Sequence, residues 1–135
     1  MNPELVCIPP ARINDFWPHA KDLIRTAIEK TGLSDFADIE VSVLSGDQLL
    51  WLAWSSKGIE AAATTQLIKA GERSLCVLTA CSGQERERWV HLFEKIEKYA
   101  SDEGCSAMRI YGRKGWERVL EGYKADYVIL QKALH

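Results

Sequence analysis

The chain has 135 residues, 47% of them hydrophobic and 27% charged, and 17 Lys and Arg against 19 Asp and Glu leave a net charge of −2. That length and balance fit one globular domain spanning residues 1–135, with enough apolar surface for a core, and exclude disordered and fibrous classes. A near-neutral chain supplies no general field for nucleic acid, so none is expected as a partner. The longest apolar stretch, residues 49–54, falls far short of the roughly 20 residues a membrane helix needs.

Residues 5–8 read as a short strand ended by Pro9 and Pro10. Phe16, Trp17, Ala20, Leu23, Ile24, Ala27 and Ile28 then recur at helical spacing, with Lys21, Asp22, Arg25 and Glu29 on the opposite side. This predicts an amphipathic helix capped by Asn14 or Asp15, with Pro18 in or near its first turn and Gly32 as its stop. Residues 34–45 are ambiguous. Ile39, Val41 and Val43 alternate as in a strand, while Phe36, Ile39, Val43 and Leu44 share a helical face. Helix is preferred because Ser34 or Asp35 can cap it and Gly46 can end it.

Residues 49–82 change character. Three strand-like runs are separated by Lys57-Gly58 and by Gly71-Glu72-Arg73, turn signals at hairpin spacing, so an antiparallel meander is expected. Next comes a helix with Trp89, Leu92, Phe93, Ile96 and Ala100 on one face, supported by a Glu94–Lys98 pair and ended by Gly104. A strand at 107–111, a helix carrying Trp116, Val119, Leu120 and Tyr123, and a last strand at 127–131 complete the order. Linking the 107–111 strand to the last strand through a helix makes a βαβ crossover, so the sheet is mixed and the class is α+β. Trp51 and Trp54, three apart on one strand, are expected on opposite faces.

Polar chemistry is sparse. His19, His91 and His135 have no partner at metal-ligand or triad spacing, so no metal is expected. Cys7, Cys76, Cys81 and Cys105 form no CxxC pair and read as reduced, buried thiols, with Cys81 a weak candidate nucleophile lacking a nearby base. The opening MNPELVCIPP has neither the basic nor the long apolar region of a secretory signal, so a cytoplasmic location is expected.

The element order, with Ala100 followed by Gly104-Cys105 and a strand, resembles the GNAT superfamily of acyl-CoA-dependent N-acetyltransferases. In that family a Q/R-x-x-G-x-G/A loop joins the meander to the long helix and presents backbone N–H groups to the pyrophosphate of CoA. Counting back from Gly104-Cys105 places Gln84 at the Gln/Arg position, and the two glycine positions fall on Glu87 and Trp89. Glu87 would set a carboxylate beside an anion and Trp89 would fill space, while Arg86 and Arg88 offset the charge and Ser82 and Gly83 keep loop freedom. The resemblance further implies that backbone donors near Leu78 to Cys81, Ala80 among them, polarise the thioester carbonyl. Arg113 and Lys114, between Gly112 and Gly115 at a helix start, form a candidate phosphate site for the nucleotide end of CoA or an RNA backbone.

A second motif is GRKGWERVLEGY. Gly122-Tyr123 resembles the family's Gly-Phe, which puts Arg118 where a proton-donating tyrosine usually stands. A guanidinium with a pKa above about 12 cannot fill that role, so Tyr111 is the substitute candidate for the general acid. The family usually closes with two strands, whereas this chain has room for one, which implies a shortened C-terminus and an open sheet edge available to a second copy. Leu50-Trp51 and GRKGW also resemble a phage-associated GNAT-like group that includes internal virion proteins of tailed phages. The resemblance implies acetyl-CoA as cosubstrate and a small-molecule or protein amine as acceptor. The competing expectation, carried by Glu87, Trp89 and Arg118, is a non-catalytic GNAT-like structural or interaction protein.

Overall fold

A computed structural model describes residues 2–112 and 115–135. Its centre is the expected meander. Strands β2 (Leu49–Ser55), β3 (Gly58–Ala70) and β4 (Arg73–Gly83) pair antiparallel, turning at Gly58 and Gly71, whose φ angles of 100° and 65° favour glycine. Strand β1 (Glu4–Cys7) adds antiparallel to β2, and β5 (Ala107–Ile110) adds parallel to β4, giving the order β1-β2-β3-β4-β5.

Helix α1 (Ile13–Thr31) begins earlier than its apolar stripe predicts, because a 3₁₀ turn at Pro10–Arg12 feeds directly into it. Neither Asn14 nor Asp15 caps it. The cap position is Arg12, and Pro18 lies inside the helix instead of in its first turn. Gly32 ends the helix in the left-handed conformation, as expected. Helix α2 (Phe36–Leu44) settles the ambiguous segment: Asp35 occupies its cap position, and Ile39 and Val43 are buried while Val41 faces water. The Trp17 indole donates to Glu40 at 2.7 Å and ties the two helices together.

Helix α3 (Phe93–Asp102) connects β4 to β5 and forms the βαβ crossover. The crossover expected between β5 and a last strand is not formed. Residues 127–131 pair with no strand, and the helix after β5 is a single turn, α4 (Trp116–Val119). Lys98 pairs with Asp102 at 2.9 Å instead of with Glu94.

The sheet carries a core on each face. Leu50, Leu52, Ala62 and Ala80 pack with α1 and α2, while Trp51, Ala61, Ala63 and Leu78 pack with α3 and α4. Trp51 packs in the α3-side core, whereas Trp54 is paired with Ile59, which packs against the α1-side core, so the two lie on opposite sides. Among the described residues no helix is long and apolar enough to cross a membrane.

Candidate active site

Alternation along β4 breaks at one point. Thr64 of β3 faces Ala80 and Thr65 faces Leu78, which leaves Thr79 as an extra residue in a β-bulge. The consequence is visible in the cores: Leu78 joins the α3 side and Ala80 the α1 side, although residues two apart on a regular strand share a face. A buried polar cluster holds the bulge. Thr79 donates its hydroxyl to Gln48 Oε1 at 2.7 Å, and the Thr64 hydroxyl lies 2.6 Å from that of Thr79, within hydrogen-bond distance.

The bulge marks the place where β4 and β5 part. Their pairing runs from Leu75–Ala107 to Leu78–Ile110 and ends with the Tyr111 N–H donating to the Leu78 carbonyl at 3.1 Å. β4 then continues for five residues to Gly83, paired with β3 on one side and with no strand on the other among the described residues. At about 3.4 Å per residue this bare edge is roughly 17 Å long. Leu78, Ala80 and Tyr111 are thus gathered at the fork, with Tyr111 partly exposed, while Ser82 and Gly83 lie at the far end of the bare edge. The β-bulge gave no signal in the sequence reading.

The loop after β4 departs from a glycine-rich phosphate cradle. Its residues make two 3₁₀ turns, Arg86–Arg88 and Val90–Leu92, before α3 begins. The Gln84 N–H donates to Glu60 O, that of Arg88 to Glu85 O and that of Trp89 to Arg86 O, so these donors are spent within the protein. Gly83 is required by β3: a Cβ there would stand 2.5 Å from Ala61 Cβ and from Glu60 O. Arg88 forms a two-pronged ion pair with Glu60, whose Oε2 accepts at 3.0 Å and whose side chain is only 8% exposed. That bond, with the Ser55 hydroxyl in support, holds the Glu60 carboxyl down at about 2. Arg86 is exposed, and its guanidinium sits 5.9 Å above the Trp116 ring. Arg113 and Lys114 lie outside the described residues.

Trp89, read in sequence as the first residue of an apolar helical stripe, lies outside α3 and is 3% exposed. Its indole N–H donates to the Gln84 carbonyl at 2.8 Å, and its ring stands 6.3 Å from Phe93 and 6.2 Å from Trp116. Trp116 in turn packs on Gly112, where an added Cβ would come within 2.8 Å of its ring. The aromatic group therefore spans from the β4–α3 loop to the segment after β5, on the α3 side of the fork. A cavity of about 20 Å³ between Trp89, Phe93, Trp51 and the alanines of β3 is apolar and holds at most one water.

The surroundings of Cys81, a weak candidate nucleophile, and of Tyr123 each hold a proton in place. Burial pushes the Cys81 thiol up to about 12, which disfavours the thiolate that a nucleophile needs. Tyr123 donates to Glu97 at 2.7 Å, and burial together with that carboxylate raises its pKa, so its proton is held. His19, His91 and His135 are exposed, and no group of three metal-ligating side chains occurs among the described residues.

CoA can be tested against this geometry in two parts. The bare edge of β4 beside the fork fits an extended thioester arm, because an unpaired strand edge offers hydrogen-bonding groups at regular spacing. The loop does not fit the pyrophosphate as a backbone cradle: full side chains stand at both glycine positions, and the donors named above are taken.

No protein-family model matches the chain, and no curated protein matches it. Solved structures do. An aminoglycoside acetyltransferase from an uncultured soil metagenomic sample, in complex with sisomicin, superimposes with a TM-score of 0.71 at 11% identity over 98% of this chain and 97% of its own. A GNAT family acetyltransferase from Staphylococcus aureus gives 0.65 at 12% identity over 99% and 100%. A possible acetyltransferase from Clostridium difficile 630 gives 0.64 at 14% identity over 100% and 99%. With its mixed five-stranded sheet, flanking helices and fork between β4 and β5, this chain has the fold of the GNAT acetyltransferases.

Proposed function

We propose that the chain is a cytoplasmic N-acyltransferase that moves an acetyl group from acetyl-CoA to an amine on a small molecule or protein, working as a homodimer joined along the outer edge of β5. The observation that carries this reading is the fork, where pairing stops at Leu78–Ile110 and leaves the bulged half of β4 bare. CoA, when bound, supplies the activated thioester. Backbone groups from Thr79 to Ser82 orient the thioester arm and polarise its carbonyl, a role for fixed dipoles that need no reorganisation during the reaction. Tyr111, at the apex of the fork, donates its phenolic proton to the departing sulfur. Arg86 supplies charge toward the pyrophosphate in place of the missing glycine loop, and Arg113 and Lys114 serve its nucleotide end.

The experiment is titration of the protein with acetyl-CoA, followed by calorimetry and thermal shift, then assay of thiol release with a panel of polyamines and aminoglycosides. Saturable heat and a raised melting temperature are expected. No heat and no shift at millimolar acetyl-CoA would overturn the reading.

Burial of Trp89 across the loop favours a second reading, in which the same fold serves as a non-catalytic interaction protein, including the phage-associated setting that Leu50-Trp51 and GRKGW resemble. Under it, Trp89→Ala still binds no CoA.

A further inference from the structure

The ladder between β3 and β4 passes over Thr79, because Thr64 faces Ala80 and Thr65 faces Leu78. A bulged residue has no ladder partner to fix it, so the side chain of Thr79 must do the holding. Its buried hydroxyl donates to Gln48 Oε1 at 2.7 Å, and lies 2.6 Å from the Thr64 hydroxyl and 3.2 Å from the Thr64 carbonyl oxygen. Thr64 belongs to the neighbouring strand. Gln48 belongs to neither strand of the bulge: it precedes β2 and stands 31 positions away in sequence.

Gln48 has a fixed base. Its backbone N–H donates to the Ser42 carbonyl of α2 at 3.0 Å, beside the N–H of Asp47, which donates to the same oxygen at 2.9 Å. The Asp47 carboxylate accepts from the Ser42 hydroxyl at 3.2 Å and from the Gln66 side-chain amide of β3 at 3.1 Å. The turn from α2 into β2 is thus fastened to the helix and to the sheet, and Gln48 reaches from it into the interior, where it is buried. Burying an amide is unfavourable unless its polar atoms find partners, and an apolar side chain would fill the same space without that need. Past the fork, no strand lies beside β4 to stiffen it among the described residues, so the rigidity of the bulge comes from β3 and from this buried contact.

We infer that Gln48 is a positioning residue for acyl transfer: by gripping the Thr79 hydroxyl it holds the bulge still, and so keeps the backbone groups of Thr79 to Ser82 aimed at the thioester carbonyl. This deepens the acyl-transfer reading above and rests on it. Fixed dipoles stabilise developing charge because they need no reorganisation, and a donor free to turn loses that advantage even where the thioester binds equally well. Gln48 acts through Thr79, from the α2 end of β2.

The test compares the wild-type chain with Gln48→Met, which keeps the length of the side chain and removes the acceptor, and with Thr79→Ser, which keeps the hydroxyl. Amide order parameters of residues 79–82 should be about 0.85 in the wild type and Thr79→Ser and below about 0.6 in Gln48→Met, at unchanged circular dichroism. Calorimetric affinity for acetyl-CoA should agree within about threefold among the three proteins, since binding itself is not the property Gln48 serves. The infrared stretch of the bound thioester carbonyl, followed with isotope-labelled acetyl-CoA, should move to lower frequency in the wild type and Thr79→Ser, and by less than about half as much in Gln48→Met. Should Gln48→Met not fold, Gln48→Asn takes its place, withdrawing the acceptor by one methylene. Order parameters below about 0.6 in the wild type alone would overturn the inference, because the bulge would then not be held. An equal carbonyl shift in the wild type and the Gln48 variant would overturn it and leave acyl transfer standing. No acetyl-CoA binding by the wild type would overturn both.

Discussion

Replacing Trp89 by alanine separates a core residue from a movable lid. The indole is 3% exposed, contacts Phe93 and Trp116, and fixes the Gln84 carbonyl through its N–H. Truncating a buried tryptophan costs about 3–5 kcal/mol through lost transfer energy and an unfilled cavity. The existing 20 Å³ space beside Phe93 and Trp51 means the void would enlarge an already imperfect packing region, where neighbours have room to relax. The Gln84 carbonyl lies in an exposed loop, so water replaces the indole and the lost hydrogen bond adds no more than about 1 kcal/mol. We expect a loss of about 4 kcal/mol from a total of roughly 5–15 kcal/mol, read from urea unfolding at constant m value. In thermal melts the same loss amounts to roughly 15 °C for a chain of this size. A loss under about 1 kcal/mol would refute the packing argument, because only an indole that swings freely out of the core gives so small a value.

Thr79→Val keeps the shape of the bulge but leaves the Gln48 carbonyl and the Thr64 hydroxyl unpaired in the interior, and should cost about 2–4 kcal/mol in urea unfolding. The combined Gln48→Leu, Thr64→Val, Thr79→Val variant should recover much of that loss, and a triple variant weaker than the single one would contradict the account. For the Arg88–Glu60 pair, a carboxyl held at about 2 instead of its usual 4.5 contributes stability that is fully present above pH 4.5 and lost as pH falls toward 2. Urea midpoints should therefore fall more steeply from pH 5 to pH 2 in the wild type than in Glu60→Gln, and parallel slopes would show that the pair does not drive the acid transition. Gly83→Ala drives a Cβ into Ala61 and the Glu60 carbonyl, so a cost of about 1–3 kcal/mol and faster exchange of the Gln84 amide are expected. If acyl transfer is observed, Tyr111→Phe should lower kcat by about 10²–10⁴ with stability within about 0.5 kcal/mol of wild type. An unchanged kcat would remove Tyr111 from the chemistry.

What could be read in the sequence was whatever the chain states locally. Gly58 and Gly71 mark hairpins because their backbone conformations exclude most other residues, and the α1 stripe declares its buried face through spacing alone. The fork lacks such a mark. The run LCVLTACS contains no glycine or proline at the bulge, and Thr79 becomes the extra residue because Gln48 and Thr64, 31 and 15 positions away, offer its hydroxyl a buried partner. Residues 127–131 have the composition of a strand, yet Glu97 and Glu117 hold the preceding residues on the helix face, and strand formation needs an edge as well as a propensity. Trp89 shows why the loop was the hardest part to read. Helical periodicity correctly marks it as buried, but the same side chain also closes the loop by binding the Gln84 carbonyl, so core packing and loop shape depend on one residue. A glycine at that position would free the loop to approach a phosphate and would unpack the aromatic group beneath it. In this chain the packing is present, so the loop stays closed and the open backbone groups lie at the fork, along the bare edge of β4.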